Sequence, residues 1–268
     1  MPKTIIAGNW KMHKTRAQAR TLAQALLDGI KGERHLPEIV LCPPFTCLQD
    51  VLAVTKDSPI GVGAQNMDYR ASGAFTGEIS PVMLVDLAVQ YVIIGHSERR
   101  QLFAETDTSV NLKLKSALEY RLIPIICVGE SEEEHGAELT DSVIRRQITA
   151  ALADLSKEQI VPLMIAYEPL WAIGTGKSCP TKEANRVAAL IRATINDLFG
   201  IEGEIAADNA VAETIPILYG GSVKASTIKE QLNAPEINGV LVGGASLSAV
   251  EFLPIIMGGR TPQACFSG

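Results

Sequence analysis

The chain has no run of about 18 apolar residues, the length a helix needs to cross a bilayer, so no membrane-spanning helix is expected. Positive charge is also scarce. Lys and Arg number 24 against 30 Asp and Glu, for a net charge of −6, and no basic block offsets the acids. A nucleic-acid partner is therefore not expected, and an anionic small substrate would have to be drawn in by local charge. Cysteines are few and odd in number, five in all from Cys42 to Cys265, which argues against a disulfide framework and for a reducing, cytoplasmic location. Cys42 and Cys47 have no second Cys or His pair at zinc-ligand spacing, so no metal site is expected. The opening Met-Pro-Lys-Thr-Ile-Ile breaks at Gly8, Asn9 and Lys11, too soon for a secretion signal. No Pro-, Gly- or Ser-rich linker divides the chain, and residues 1–268 are expected to form one domain.

Two nucleotide-binding motifs are missing as well. Gly61-Val-Gly63-Ala-Gln-Asn66 lacks the third glycine of a dinucleotide fingerprint. Gly176-Lys177-Ser178 ends like a P-loop, but Trp171 stands where that motif needs glycine.

What is present is an ordinary globular composition, 47% hydrophobic and 20% charged over 268 residues. Eight short apolar runs recur: 4–7, 39–42, 60–64, 91–94, 123–128, 163–167, 217–219 and 240–242. They do not alternate polar and apolar, so each reads as a strand buried on both faces of a parallel sheet. Helical stripes lie between them, such as Leu139, Val143, Ile148, Leu152 and Leu155. A second joins Ala184, Ala188, Ile191, Ile195 and Leu198, with Thr181 as the expected N-cap. The acidic run Glu132–Glu134 reads as a solvated helix start, and residues 200–213 as a peripheral excursion. Eight strands alternating with helices over about 250 residues predict an α/β fold, a single (β/α)8 barrel, with a doubly wound sheet as the competitor. Polar or glycine-rich residues trail nearly every run, and a barrel would gather all of them at one mouth.

The candidate chemistry lies in those trailing residues. Gly220-Gly221-Ser222 and Gly243-Gly244 follow the seventh and eighth runs, and each precedes a helical pattern. Glycines let backbone N–H groups approach an anion, and a helix start favours negative charge, so a phosphate site is expected there. Glu168 directly follows the sixth run, where a partly apolar pocket would disfavour its charged form and tune it toward base duty. His96 follows the fourth run beside a helix start, where the dipole favours the neutral ring. Lys11 and Asn9 follow the first run, placed to meet an anion.

These residues carry a resemblance. Ala7-Gly8-Asn9-Trp10-Lys11-Met12, 73–80 (GAFTGEIS), Gly95-His96-Ser97-Glu98-Arg99-Arg100, Ala166-Tyr167-Glu168-Pro169, 171–177 (WAIGTGK), 219–223 (YGGSV) and 241–247 (LVGGASL) together resemble the triosephosphate isomerase family from end to end. The resemblance implies a barrel of that family's kind, a TIM barrel, interconverting dihydroxyacetone phosphate and D-glyceraldehyde 3-phosphate. It implies catalytic roles for Glu168, His96, Lys11 and Asn9, and substrate binding by Asn9, Lys11, Gly174, Ser222, Gly243 and Gly244. Ser97 and Glu98 would support them, with no cofactor and no metal. Residues 169–177 would form a lid. The stretch 65–78, long for a βα connection, would dock into a second subunit as a homodimer. Leu170, Cys179, the 200–213 excursion and the tail after Gly259 depart from the family pattern. Cys179, at the far hinge of the lid, is expected to be the accessible thiol whose modification most affects turnover, with burial as the competing reading and Cys127 as the packed thiol. Another phosphate-binding barrel enzyme, a lyase or an aldolase, and a non-catalytic binding barrel are the alternatives.

Overall fold

The computed structural model describes residues 3–172, 178–200 and 210–260. Eight strands run β1 (Ile5–Asn9), β2 (Glu38–Cys42), β3 (Ile60–Ala64), β4 (Tyr91–Ile94), β5 (Ile123–Val128), β6 (Met164–Tyr167), β7 (Ile217–Tyr219) and β8 (Gly239–Val242). Each pairs in parallel with the next, and β8 returns to β1, closing the barrel. The doubly wound alternative is thereby excluded, since an open sheet has no pairing of its first and last strands.

The α-helices of the described residues are α1 (Arg16–Gly29), α2 (Leu48–Thr55), α3 (Pro81–Asp86), α4 (Ser97–Leu102), α5 (Asp107–Glu119), α6 (Glu132–Gly136), α7 (Thr140–Leu152), α8 (Lys157–Ile160), α9 (Thr181–Phe199), α10 (Ala210–Thr214), α11 (Ile228–Leu232) and α12 (Ala249–Gly258). The two faces of each strand feed two cores. Ile5, Ala7, Val40, Tyr91, Ile93, Ile125, Cys127, Met164, Ala166, Leu218 and Leu241 fill the barrel. Ile6, Ile39, Leu41, Val92, Ile94, Ile165 and Val240 pack outward against the helices. Both faces are apolar, which is why the runs show no alternation.

The inward period of two carries straight into the mouth. Ile5 and Ala7 are followed two residues on by Asn9, and Met164 and Ala166 by Glu168. β4 would continue from Tyr91 and Ile93 to Gly95. That residue has φ +73°, a left-handed turn that a side chain disfavours, and it redirects the chain so that His96 also reaches the mouth.

Three local expectations are corrected. Thr181 is the first helical residue of α9 and Pro180 is the N-cap. Pro180 has extended dihedrals, and its carbonyl accepts the Glu183 N–H at 2.9 Å, the donor a side-chain cap would otherwise take. In α7, Leu139 sits at the N-cap, exposed, and Leu155 lies beyond the last turn. Within the 200–213 excursion, residues 201–209 lie outside the described residues, but its end is not peripheral. α10 buries Val211 and Ala212, and the Ala212 carbonyl accepts from the buried Arg192 guanidinium. Arg192 also donates to Glu236 at 2.8 Å and Asn238 at 3.2 Å. A buried guanidinium needs all of these acceptors, and the excursion returns to supply one.

The acidic run does open a helix. Ser131 caps α6, exchanging hydrogen bonds with Glu134 in a capping box.

Candidate active site

The strand ends converge on a cavity of about 950 Å³ lined by Asn9, Lys11, His96, Glu168, Ser222 and Gly243, with Gly220, Gly221 and Gly244 beside them. The catalytic and substrate-binding residues expected from sequence are thus brought to one mouth, Gly174 excepted, while Ser97 and Glu98 do not line it but bond Glu168 and Lys11. Gly174 lies outside the described residues, as do Gly176 and Lys177 of the expected lid.

Glu168 is 2% exposed. Its Oε1 lies 2.9 Å from His96 Nε2, and its Oε2 accepts the Ser97 N–H at 2.9 Å. Burial works against the charged carboxylate, but His96, the Ser97 N–H and Lys11 outweigh it and hold Glu168 below the usual carboxylate range. The expected upward shift is therefore corrected for this arrangement. The pocket is apolar enough, but its donors are turned onto the carboxylate.

His96 is the N-cap of α4, and its Nδ1 accepts the Glu98 N–H at 3.2 Å. That bond leaves the ring proton on Nε2, facing Glu168. Burial pushes His96 down, yet the adjoining Glu168 carboxylate prevails and its proton affinity is raised. The expectation of a neutral ring weighed the helix start and omitted Glu168. The Glu168 charge and hydrogen bond, with the Glu98 charge, favour the imidazolium, while burial and Lys11 oppose it.

Lys11 adopts φ +51°, and its N–H donates to Asn9 Oδ1 at 3.0 Å. Its Nζ donates to Glu98 Oε1 at 2.6 Å. Three further residues, which sequence reasoning did not single out, brace the segments around the mouth. Gln65 Nε2 donates to the Lys11 carbonyl at 2.9 Å and the Cys42 carbonyl at 2.8 Å, fixing the turn after β1. Ser246 Oγ donates to the Gly243 carbonyl at 2.6 Å. Glu130, fully buried, accepts Trp171 Nε1–H at 2.7 Å and the Tyr167 hydroxyl at 3.1 Å. Gln65 and Glu130 both trail strands, the one available signal, but so do many residues with no such role.

The two glycine clusters differ. Gly243 leads directly into a tight 3-10 turn, Gly244–Leu247. After Gly220-Gly221-Ser222 the helix begins only at Ile228, so that cluster is a loop and not a helix start. Among the described residues, no group of three His, Cys, Asp or Glu is placed to hold a metal ion.

Cys179 is corrected too. It is 6% exposed, its Sγ lies 3.7 Å from the Pro180 carbonyl, and burial raises its pKa to about 12. The loop position did not keep it accessible, because Cys179 packs into the outer core. Cys127 is the packed thiol expected, fully buried inside the barrel.

The triosephosphate isomerase family pattern matches residues 4–258. A triosephosphate isomerase from Clostridium tetani is 52% identical over 95% of this chain and 96% of its own length. One from Chloroflexus aurantiacus is 50% identical over 94% and 97%. The crystal structure of triosephosphate isomerase from Bartonella henselae superposes with a TM-score of 0.83 at 34% identity, covering 97% of this chain and all of that one. With the barrel, the mouth and these similarities in agreement, the chain belongs to the triosephosphate isomerase family of enzymes.

Proposed function

We propose that the chain, as one barrel domain over residues 1–268, interconverts dihydroxyacetone phosphate and D-glyceraldehyde 3-phosphate. The observation that carries this reading is a buried carboxylate, Glu168, facing His96, Lys11 and Asn9 in one cavity. A carboxylate takes the proton from carbon beside a carbonyl and returns it to the neighbouring carbon. Between the two transfers the substrate is an enediolate, whose oxygens need donors. His96 Nε2–H and Asn9 supply hydrogen bonds, and Lys11 supplies positive charge. The division of labour between a Glu base and a neutral His is this family's known chemistry.

The resting hydrogen bonds support one sequence of events. Glu168 must leave His96 Nε2 and the Ser97 N–H to reach substrate carbon. Its departure removes the main influence favouring the His96 imidazolium, and burial and Lys11 then favour the neutral ring. The same departure frees Nε2–H to donate to the substrate. Glu98 holds Lys11 in place. Backbone N–H groups around Ser222, Gly243 and Gly244 grip the phosphate, with Gly174 joining them from the lid. No metal or organic cofactor is called for by a proton shuttle. An aldolase would need a free strand-end lysine, whereas Lys11 is paired with Glu98.

A homodimer through residues 65–78 belongs to the same reading. The loop is a built object: Asp68 N–H and the Ile79 carbonyl close its neck at 2.8 Å, and Arg70 lies over Phe75 at 3.2 Å. Met12 is 94% exposed, and Phe75, Met83, Leu102 and Phe103 are exposed apolar groups. Large exposed apolar residues suit a protein interface. The cytoplasmic location is supported by the free thiols Cys42, Cys47, Cys127 and Cys179.

The test is a coupled assay with each triose phosphate in turn. Isomerisation in both directions, without added cofactor and after chelator treatment, is expected. Cleavage of a larger sugar phosphate, or binding without turnover, would favour the alternatives.

A further inference from the structure

Ser246 is fully buried beneath the mouth and does not line the cavity, so it cannot itself touch a substrate. Its contacts are with two residues that do line it. Its Oγ donates to the Gly243 carbonyl at 2.6 Å, and the Asn9 carbonyl stands 3.4 Å away. A hydroxyl has one proton, and the shorter contact takes it. The Ser246 N–H also donates to the Gly243 carbonyl, at 2.9 Å. One carbonyl thus receives both donors of one residue.

That carbonyl is half of a rigid unit whose other half faces the site. Gly243 has φ −85° and ψ −108°, neither helical nor extended. Since ψ sets where the carbonyl points, it turns off the line of β8 and onto Ser246. The Gly243–Gly244 peptide is trans. In a planar trans peptide the C=O and the N–H point opposite ways, so fixing the Gly243 carbonyl also fixes the Gly244 N–H on the other side. That side is open: Gly244 lines the cavity, and a Cβ added to it would meet nothing within 4 Å. A Cβ added to Gly243 would stand 3.8 Å from Lys11 Nζ. Amide and ammonium therefore flank one small volume, where an anion would meet both.

We propose that Ser246 is a positioning residue for phosphate: by holding the Gly243 carbonyl it aims the Gly244 N–H into the cavity beside Lys11. The proposal rests on the phosphate grip of the isomerase reading, and adds what aims that grip. The serine is itself held from β1 and α12. A Cβ on Gly8 would come within 2.9 Å of the Ser246 Cβ and 3.1 Å of the Phe252 ring, so both pack against that strand. A donor aimed before the anion arrives spares the cost of ordering it on binding.

The test uses the whole enzyme with Ser246→Ala and Ser246→Cys. Ala keeps the N–H bond to the Gly243 carbonyl, so the turn persists while its second donor is lost. Cys fills the space with a weak donor. In calorimetric titration with inorganic phosphate, Ser246→Ala is expected to bind about two- to tenfold more weakly than the parent, the range one hydrogen bond spans. Ser246→Cys should fall between them. The second reading is selectivity. The ratio of kcat/KM for D-glyceraldehyde 3-phosphate to that for D-glyceraldehyde, which carries no phosphate, should fall by a similar factor in Ser246→Ala. A serine that only supported the fold would lower both substrates alike and leave the ratio as it was. Equal phosphate affinity in the parent and Ser246→Ala, parent affinity in Ser246→Cys, or an unchanged ratio would overturn the proposal. A parent that binds phosphate but turns over neither substrate would overturn the isomerase reading instead, and the phosphate affinities would still decide the role of Ser246.

Discussion

Glu168 and His96 are locked onto each other in the resting enzyme, and their titrations move in opposite directions. A carboxylate held low stabilises the fold above the ordinary carboxylate range, and that contribution is lost as pH falls. A histidine held high stabilises below its ordinary value of about 6.5, and that contribution is lost as pH rises through the raised value. His96→Gln should therefore lose more stability relative to the parent at pH 6 than at pH 9, as read by urea unfolding at both. An equal loss at both would mean His96 gains nothing from Glu168. Cys179 is the second case. With its pKa raised to about 12, roughly one part in ten thousand is thiolate at pH 8. A thiol reagent should inactivate the parent and Cys179→Ser at the same rate, and faster inactivation of the parent would show that Cys179 is reached after all. At this scale the sequence was legible where a residue's position follows from its place at a strand end, as for Asn9, Lys11, His96 and Glu168, which all line the mouth. It was illegible where the role depends on what faces the residue from another strand. Nothing near Cys179 in the chain announces its burial, and nothing near Glu168 announces the His96 contact.

Strands and their connections were more legible than single contacts, because two buried faces leave an unmistakable apolar run. The run 123–128 is β5 from end to end, and 4–7 misses β1 only because Gly8 and Asn9 do not look like strand residues. The α10 segment escaped notice since its helix exists to meet Arg192, a tertiary demand. Two glycines set the elements of the site in place. Gly95 turns His96 inward with φ +73°, and an added Cβ would also meet Val110 at 2.8 Å. Gly129 lets β5 and β6 approach so closely that a Cβ there would overlap the Glu168 carbonyl oxygen. Gly95→Ala should cost on the order of 1–3 kcal/mol of stability, from strain at positive φ, and lower turnover by displacing His96. Denaturation midpoints and kcat measured together would check this. A variant with parent stability would mean the turn tolerates a side chain.

The described residues form a closed barrel whose one mouth gathers Asn9, Lys11, His96 and Glu168 and whose loop 65–78 carries apolar groups exposed in the single chain. Thr76 is exposed on that loop, so Thr76→Arg should leave the barrel folded while placing an unpaired charge in the proposed interface. Sedimentation should then give a monomer with low activity, and an unchanged dimer would count against the interface. In the proposed reaction Glu168 moves a proton between two substrate carbons. In heavy water, dihydroxyacetone phosphate with the parent should yield glyceraldehyde 3-phosphate carrying deuterium at C2, because an abstracted proton exchanges with solvent before it returns. Glu168→Asp withdraws the carboxylate by about 1 Å, and both deuterium uptake and turnover should fall about 100-fold together. Product free of deuterium from the parent, or near-parent rates from Glu168→Asp, would contradict the account.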